Sequence, residues 1–150
     1  MFGELDQEQV HQLLHNEAHG HLGCHAEERT YVVPISYVYD DENIYGYSID
    51  GMKLQLMLRN PEVCFQVDHS QNLSNWQSVI VWGTFEALEG DAAVQATQLL
   101  MQHGLALVAR GQSFHRVGVM EKQRSDTHHQ HITVYRIHIA EKTGRFEETI

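Results

Sequence analysis

The sequence is poor in positive charge, and this shortage argues against two classes of partner. Ten Lys and Arg stand against 20 Asp and Glu in 150 residues, a formal net charge of −10 with the 12 histidines neutral. Nucleic acids and anionic membrane surfaces bind proteins through clustered Lys and Arg, so we expect neither as a partner. A small anionic ligand needs only a local cationic or N–H-lined site and stays possible.

Cysteine and long apolar runs are also scarce. Cys24 and Cys64 form no CxxC motif, which argues against a structural zinc site or a redox pair, and we expect two buried, reduced thiols. No run approaches the roughly 18 apolar residues of a membrane span. The acidic N-terminus lacks the apolar core of a signal peptide. We therefore expect a cytoplasmic protein, and its length fits a single domain, residues 1–150.

Several familiar catalytic motifs are missing as well. The chain has no GxSxG nucleophile elbow, no GxGxxG dinucleotide fingerprint and no GxxxxGK[ST] phosphate loop. Asp and Glu are concentrated in the turn-like segments "AEER" and "DDEN", where solvation explains them. The residues alone therefore indicate no particular catalytic group.

The first half of the chain contains recognisable helix and strand patterns. Apolar spacing after Asp6 predicts a helix over residues 6–18, with Gln9 completing a capping box. "HLGCHAEERTYVVPISYVYDDENIYGYSID" predicts three short strands joined by the turns "AEER" and "DDEN". A short helix follows over residues 51–60 and ends before Pro61.

The second half adds strands and one more helix. "VCFQVDH" and "WQSVIVWGTFEALEG" predict two strands, the second with a bulge or close backbone approach at Gly83. "DAAVQATQLLMQHG" predicts a helix ending at Gly104, and a final strand begins in "HITVYRIHIAEKTG". The pattern over residues 105–126 is weak and predicts part helix and part loop. About six strands with helices at the N-terminus and between strands predict a mainly β, antiparallel barrel.

The 12 histidines are the most unusual feature of the composition. His11 and His15 lie four residues apart on the first helix, a spacing that can present two imidazoles to a metal. No carboxylate or thiol in the sequence obviously completes such a site, so exposed or packed histidines are the simpler interpretation. His138 lies on the more polar face of the last strand. We expect no dedicated metal centre.

The segment "SIDGMKL" suggests a small anion site. Gly51 allows a turn with positive φ, after which the backbone N–H groups of Met52, Lys53 and Leu54 would lie at a helix N-terminus. Together with the Lys53 ammonium they would suit a phosphate. A solvated lysine after a turn explains the same residues without a ligand.

With its flanks, this segment closely resembles the FMN-binding split-barrel proteins. The resemblance rests on "GHLGCH", "YVVPISYVYDD", "YSIDGMKL", "NPEVCFQVD", "WQSVIVWG" and the closing "YRIHIAEKTGR", in this order along the chain. More narrowly, the chain is similar to the pyridoxamine 5′-phosphate oxidase-related branch that includes the nitroimidazole-resistance (Nim-type) flavoproteins. This resemblance implies a six-stranded antiparallel split barrel with an N-terminal helix and inserted helices. It also implies a homodimer with FMN at the subunit interface.

The resemblance also implies which residues bind the flavin. One strand would line the isoalloxazine ring, a second would run beside the ring and the ribityl chain, a turn would hold the phosphate, and a fifth strand would approach the flavin of the facing subunit. The strand that lines the ring would contribute Val33, Pro34, Ile35 and Ser36, and the strand beside the ring and the ribityl chain would contribute Tyr47, Ser48 and Ile49. The phosphate turn would contain Gly51, Met52 and Lys53, and the fifth strand would contribute Ser78, Val81 and Trp82.

The implied activity is an FMN-dependent oxidoreductase that passes electrons to a small acceptor, such as a nitroaromatic or quinone-like compound. Only Lys53 is an obvious cation in the phosphate turn, which argues against pyridoxamine phosphate as the substrate. Arg59, Arg110, Arg116 and Arg145 are further cations that a dimer could use. The alternatives are a non-catalytic flavin-binding protein and a haem-binding or haem-degrading relative on the same barrel.

Two further features bear on the site and the dimer. His115, in "GQSFHRVG", is a candidate lid residue or proton donor, against the alternative of a surface histidine.

The fifth strand is apolar on both sides, which favours a covered outer face and hence a dimer. It places Val79, Val81 and Phe85 on one face and Trp76, Ile80 and Trp82 on the other.

Overall fold

The computed structural model of the chain describes residues 1–49, 51–109 and 132–149, and within them three helices. They are α1 (Gln7–Asn16), α2 (Met52–Arg59) and α3 (Gly90–Ala109). The predicted capping box of α1 is confirmed: the Gln9 N–H donates to Asp6 Oδ1 at 2.8 Å, and the Asp6 N–H donates to Gln9 Oε1 at 2.9 Å. The predicted end of the third helix at Gly104 is wrong. The helix continues to Ala109, because one glycine inside a helix costs only roughly 1 kcal/mol and does not by itself end it.

Eight strands form one antiparallel sheet in the described part of the chain. They are β1 (Phe2–Glu4), β2 (His19–Ala26), β3 (Arg29–Ser36), β4 (Val38–Tyr39), β5 (Asn43–Ile49), β6 (Glu62–Asn72), β7 (Asn75–Ala87) and β8 (Ile132–Glu147). The order is β3-β2-β6-β7-β8-β5-β4, with β1 on β8. The mainly β fold class is therefore confirmed, and the two strands beyond the expected six are the short β1 and β4.

The sheet curls because its two ends are joined through one residue. Only Tyr37 separates β3, at one end of the strand order, from β4 at the other. The Tyr37 side chain is 1% exposed, and its hydroxyl donates to the Leu14 carbonyl at 2.6 Å. This bond ties the closure of the sheet to α1, which packs its own apolar face into the same core.

Two apolar clusters lie on opposite sides of the sheet. The main cluster fills the inside, with α1, α2 and alternate residues of the strands, including Phe65 and Tyr135. The second cluster lies where α3 covers the outside of β4, β5 and β8, with Tyr47 and Leu100 buried in it. The outer face of β2, β3, β6 and β7 has no helix of the described residues packed on it in either cluster.

The strand alternation of β6 and β7 decides which residues reach that outer face. Val63, Phe65 and Val67 point inward, so Cys64 points outward and is exposed. The expectation of two buried thiols is therefore correct for Cys24 and wrong for Cys64.

The predicted irregularity at Gly83 is confirmed. The register between β7 and β8 shifts between Trp82 and Gly83, as in a β-bulge. A Cβ at Gly83 would collide with the carbonyl oxygen of His138, so the two backbones approach too closely for any side chain.

Candidate functional site

The proposed phosphate turn lies at the junction of β5 and α2. Gly51 is the N-cap of α2, with an extended backbone (φ −176°, ψ −175°), so the expected positive φ is wrong. Among the described residues, no side-chain hydrogen bond caps the helix, and the Gln55 N–H donates to the Gly51 carbonyl at 3.2 Å to close the first turn. The first N–H groups of a helix have no acceptor within the helix. The start of α2 therefore has the polarity that stabilises an anion.

Lys53 lies in the first turn of α2 and is half-buried. Burial raises the pKa of the Cys24 thiol, and the nearby Lys53 charge opposes that rise. The effect places the Lys53 ammonium close to β2, on which α2 packs. The cation is thus held near the sheet and does not extend freely into solvent.

Arg29 is a second cation at the start of α2, and the sequence prediction missed it. Arg29 is the first residue of β3, and its guanidinium donates to the Met52 thioether sulfur at 3.4 Å. A thioether is a weak acceptor, so an anion at this position would be a better partner. The only sequence signal for the position of Arg29 was the short "AEER" turn between β2 and β3, which lies near the place where α2 packs on β2.

The other cations considered for the phosphate differ in position. Arg59, at the end of α2, forms an ion pair with Glu27 of the β2–β3 turn. Arg145 of β8 is the register partner of Ser78 and is exposed. Arg110 and Arg116 lie outside the described residues. Arg29 and Lys53 are therefore the two cations that the described structure places beside the first turn of α2.

The "VVPIS" segment lies in β3, a strand that pairs only with β2 among the described strands. Its other edge presents backbone N–H and C=O groups that a ligand can use, and Pro34 is compatible with an edge strand. Val33 is half-buried and Pro34 is exposed, whereas Ile35 lies in the core. Ser36 is buried, with its hydroxyl 3.1 Å from His19 Nδ1.

The "YSI" segment forms the end of β5 and is mostly enclosed. Tyr47 packs under α3, and Ser48 is 2% exposed with its hydroxyl donating to the Ile49 carbonyl at 3.0 Å. Ile49 is half-buried. A ligand along this strand would meet Ile49 and the backbone before it met the side chains of the other two.

The fifth-strand residues divide between the two faces of β7. Val81 is 0% exposed and belongs to the core. Ser78 and Trp82 point outward, and the Ser78 hydroxyl accepts from Gln66 Nε2 at 2.9 Å. The Trp82 side chain is 42% exposed. Of the three residues predicted to approach a facing subunit, Ser78 and Trp82 present their side chains on the outer face of the sheet and Val81 does not.

A cleft of about 550 Å³ opens on the outer face beside Trp82. The strand register places Val32, Gly23, Cys64 and Trp82 side by side in one row across β3, β2, β6 and β7. Gly23 has no side chain in this row, and the Cys64 thiol lies over it, since a Cβ there would be 2.9 Å from Cys64 Sγ and 3.9 Å from Val32 Cγ2. The polar residues of the lining are Glu62, His25, Thr30 and Thr84.

The histidines of α1 are engaged in hydrogen bonds. His15 Nε2 lies 2.7 Å from Asp41 Oδ1, and His11 Nδ1 lies 2.6 Å from the Tyr39 hydroxyl. Within the described residues, no group of three or more His, Cys, Asp or Glu side chains is arranged to hold a metal ion. His115, the candidate proton donor, lies outside the described residues.

Comparison with known proteins decides the family. A model of the pyridoxamine 5′-phosphate oxidase family matches residues 6–146. The chain belongs to this family. No helix in the described residues is both long enough and apolar enough to cross a membrane.

Individual proteins resemble the chain at low sequence identity. An FAD-binding protein from Mesorhizobium loti is 25% identical, with a TM-score of 0.71 over 99% of both chains. A candidate 5-nitroimidazole antibiotic resistance protein from Bacteroides thetaiotaomicron VPI-5482 is 17% identical, with a TM-score of 0.71 over 97% of this chain and 87% of that chain, which shows the shared fold. An uncharacterized protein of Rhizobium meliloti (strain 1021) is 33% identical over 67 residues. That match spans 45% of this chain and 44% of the relative, less than half of either length.

Proposed function

We propose that the protein is a cytoplasmic, homodimeric FMN-binding oxidoreductase. The observation that carries this proposal is the match of a pyridoxamine 5′-phosphate oxidase family model to residues 6–146. The full-length similarity to an FAD-binding protein supports a flavin as the cofactor. The bound flavin would supply the redox chemistry, taking electrons from an external donor and passing them to a small nitroaromatic or quinone-like acceptor.

The residues at the start of α2 fit the terminal phosphate of FMN. Lys53 contributes an ammonium, Arg29 a guanidinium whose present acceptor is a thioether, and the first turn of α2 its N–H groups. One short helix with two cations suits a single phosphate group, which supports FMN as the specific flavin. The outer edge of β3 would offer backbone hydrogen bonds to the polar edge of the ring.

The outer face of the sheet supports the homodimer. Val32, Ile80 and Trp82 point outward from β3 and β7 and are 62%, 37% and 42% exposed. Exposed apolar side chains grouped on one face mark an interaction surface. In the proposed dimer, this face meets the partner subunit, and Ser78 and Trp82 approach the partner's flavin.

The absorbance spectrum of the purified protein tests the cofactor. We expect the paired near-ultraviolet and blue bands of a flavin, and we expect chromatography of the heat-released cofactor to identify FMN. If the protein is purified colourless, titration of FMN into it replaces the spectrum. A Soret band would instead support a haem-binding relative, and failure to bind FMN or FAD would overturn the proposal.

Light scattering coupled to size exclusion tests the dimer. We expect the mass of two chains for the wild type and of one chain for Ile80→Glu, which places a charge on the outer face. Val94→Glu is the matched control, because Val94 is a valine exposed on α3, away from that face. A monomeric wild type would contradict the dimer, as would equal masses for both variants.

A further inference from the structure

The cleft beside Trp82 has the form of a binding site for a planar ring. The row of outward residues has no side chain at Gly23, only the small Cys64 thiol next to it, and then Trp82 with part of its indole exposed. An indole face binds planar aromatic compounds by stacking and binds cations through its quadrupole. The volume of about 550 Å³ is in the range of small-molecule sites.

The charges around the cleft favour one sign of ligand. Glu62 lines it, and the described residues place no cation within ion-pair distance of its carboxylate. Glu141, the register partner of Trp82 on β8, adds a second carboxylate nearby. No Lys or Arg of the described chain lines the cleft.

Cations elsewhere on the outer face lie at a distance. The Cα partner of Arg145 is Ser78, four residues along β7 from Trp82, which is about 13 Å at the rise of a strand. Arg136 forms an ion pair with Glu86. A negatively charged ligand in the cleft would therefore meet the Glu62 carboxylate first, with Glu141 nearby. A cation close to this lining is Lys53, whose charge acts on Cys24 on the α2 side of the cleft.

We propose that this cleft binds the ring of the electron acceptor and selects planar aromatic compounds that are neutral or positively charged over anionic ones. This inference rests on the proposed function, in which Trp82 faces the flavin of the partner subunit. An acceptor stacked on Trp82 would then lie between the indole and that flavin. Glu62 is the residue that sets the charge preference.

Fluorescence of Trp82 tests the inference directly. The chain has two tryptophans, so Trp76→Phe leaves Trp82 as the reporter. We would titrate this variant at pH 8 with 4-nitrobenzylamine, 4-nitrobenzyl alcohol and 4-nitrobenzoate, which share a ring and carry positive, zero and negative charge. We expect the cation to quench at the lowest concentration and the anion at the highest, with about 3- to 10-fold between these two ligands.

Two further variants separate charge from shape. Glu62→Gln should remove most of the difference between the cation and the anion, whereas Asp68→Asn, on the same face of β6 but outside the cleft, should keep it. Gly23→Ala should weaken all three ligands alike, because the added methyl group must displace the Cys64 thiol, which lines the cleft. The thiol that the new methyl group would crowd is the end of a side chain, so the strand should accept it.

The outcomes distinguish this inference from the proposed function. Equal affinity for the three ligands, or an order unchanged by Glu62→Gln, would overturn the charge selection. No quenching by any ligand would show that the cleft is closed, for example by the partner subunit, and would overturn the site. The quenching of Trp82 fluorescence needs no flavin turnover. A protein that fails to bind flavin could therefore still show the quenching, and a protein that binds flavin could still lack it.

Discussion

The start of α2 and the turn between β4 and β5 both gather ionisable side chains, but they satisfy them in different ways. At the turn, Asp41 lies 2.7 Å from His15, and the Tyr39 hydroxyl contacts both His11 at 2.6 Å and Lys142 at 3.1 Å. At the start of α2, Arg29 donates to a thioether. The side chains of the histidine-rich turn thus contact one another, whereas the Arg29 guanidinium at the start of α2 suits an added anion.

This contrast shows that abundance of a residue type is a poor guide to a binding site. Twelve histidines dominate the composition, yet the two on α1 hold the β4–β5 turn against the helix. Ten Lys and Arg are few for 150 residues, yet two of them lie beside one helix start. What distinguishes the regions is that Arg29 donates to a thioether, whereas the side chains at the turn contact a carboxylate and a hydroxyl.

Replacing Lys53 should have the largest effect on this contrast. We expect Lys53→Ala to weaken FMN binding by about 10- to 100-fold, since a charged hydrogen bond to phosphate is lost. Lys142→Ala is the matched control in the other region and should leave FMN affinity unchanged. Titration followed by quenching of flavin fluorescence measures both. Equal losses in the two variants would erase the distinction between the regions.

Arg29 should have the same kind of effect at a smaller size, because its guanidinium must leave the Met52 thioether to reach a phosphate. We expect Arg29→Ala to weaken FMN binding by about 3- to 10-fold. Arg59→Ala, which removes a cation already paired with Glu27, should change it by less than about 2-fold. A larger loss of FMN affinity in Arg59→Ala than in Arg29→Ala would indicate that the phosphate binds at the other end of α2.

The histidine-rich region can be tested through the pH dependence of stability, because it contains the Tyr39 hydroxyl. Burial, with the charges of Asp41 and Asp40, raises the pKa of Tyr39 to about 12 from 10.0. The folded state therefore favours the neutral phenol. This contribution to stability is intact below pH 10 and is lost as the pH rises toward about 12.

We accordingly expect Tyr39→Phe to be less stable than the wild type at pH 8, and the gap to narrow between pH 10 and 12. Urea unfolding at several pH values measures this. Tyr37 and Tyr45, whose pKa values burial also raises, remain in both proteins and cancel in the comparison. Parallel stability profiles for the two proteins would show that the Tyr39 hydroxyl is not held as described.

The smallest effect should come from His15. Its contact with Asp41 is exposed, with 47% and 63% of the two side chains accessible. Exposed ion pairs contribute little, so His15→Ala should change the free energy of unfolding by no more than about 0.5 kcal/mol and FMN affinity not at all. Thermal unfolding and FMN titration of the variant measure the two quantities. A drop in FMN affinity would mean that the two regions are coupled.

Local patterns predicted most of the fold. The capping box of Asp6, the helix before Pro61 and the bulge at Gly83 each depend on neighbouring residues, and each is confirmed. Gly104 misled because a glycine stop competes with the apolar residues beyond it, which continue the helix. Gly51 misled because glycine permits a positive φ without requiring one.

The site was harder to predict because it depends on contacts between distant segments. Arg29 and Met52 are 23 residues apart, and only the packing of α2 on β2 brings them together. The cleft at Trp82 depends on the register of four strands, which places Gly23 between Val32 and Cys64. The resemblance identified the "SIDGMKL" turn, but no local sequence pattern could predict that Arg29 lies beside it or that a cleft opens beside Trp82.

The most direct test of the central claim compares two ligands that differ by one phosphate. We would measure the affinity of the apoprotein for FMN and for riboflavin, in the wild type and in the double variant Lys53→Ala, Arg29→Ala. We expect the wild type to bind FMN at least about 100-fold more tightly than riboflavin, and the double variant to lose most of this difference while keeping its riboflavin affinity. Equal affinity of the wild type for FMN and riboflavin would contradict a phosphate site at the start of α2.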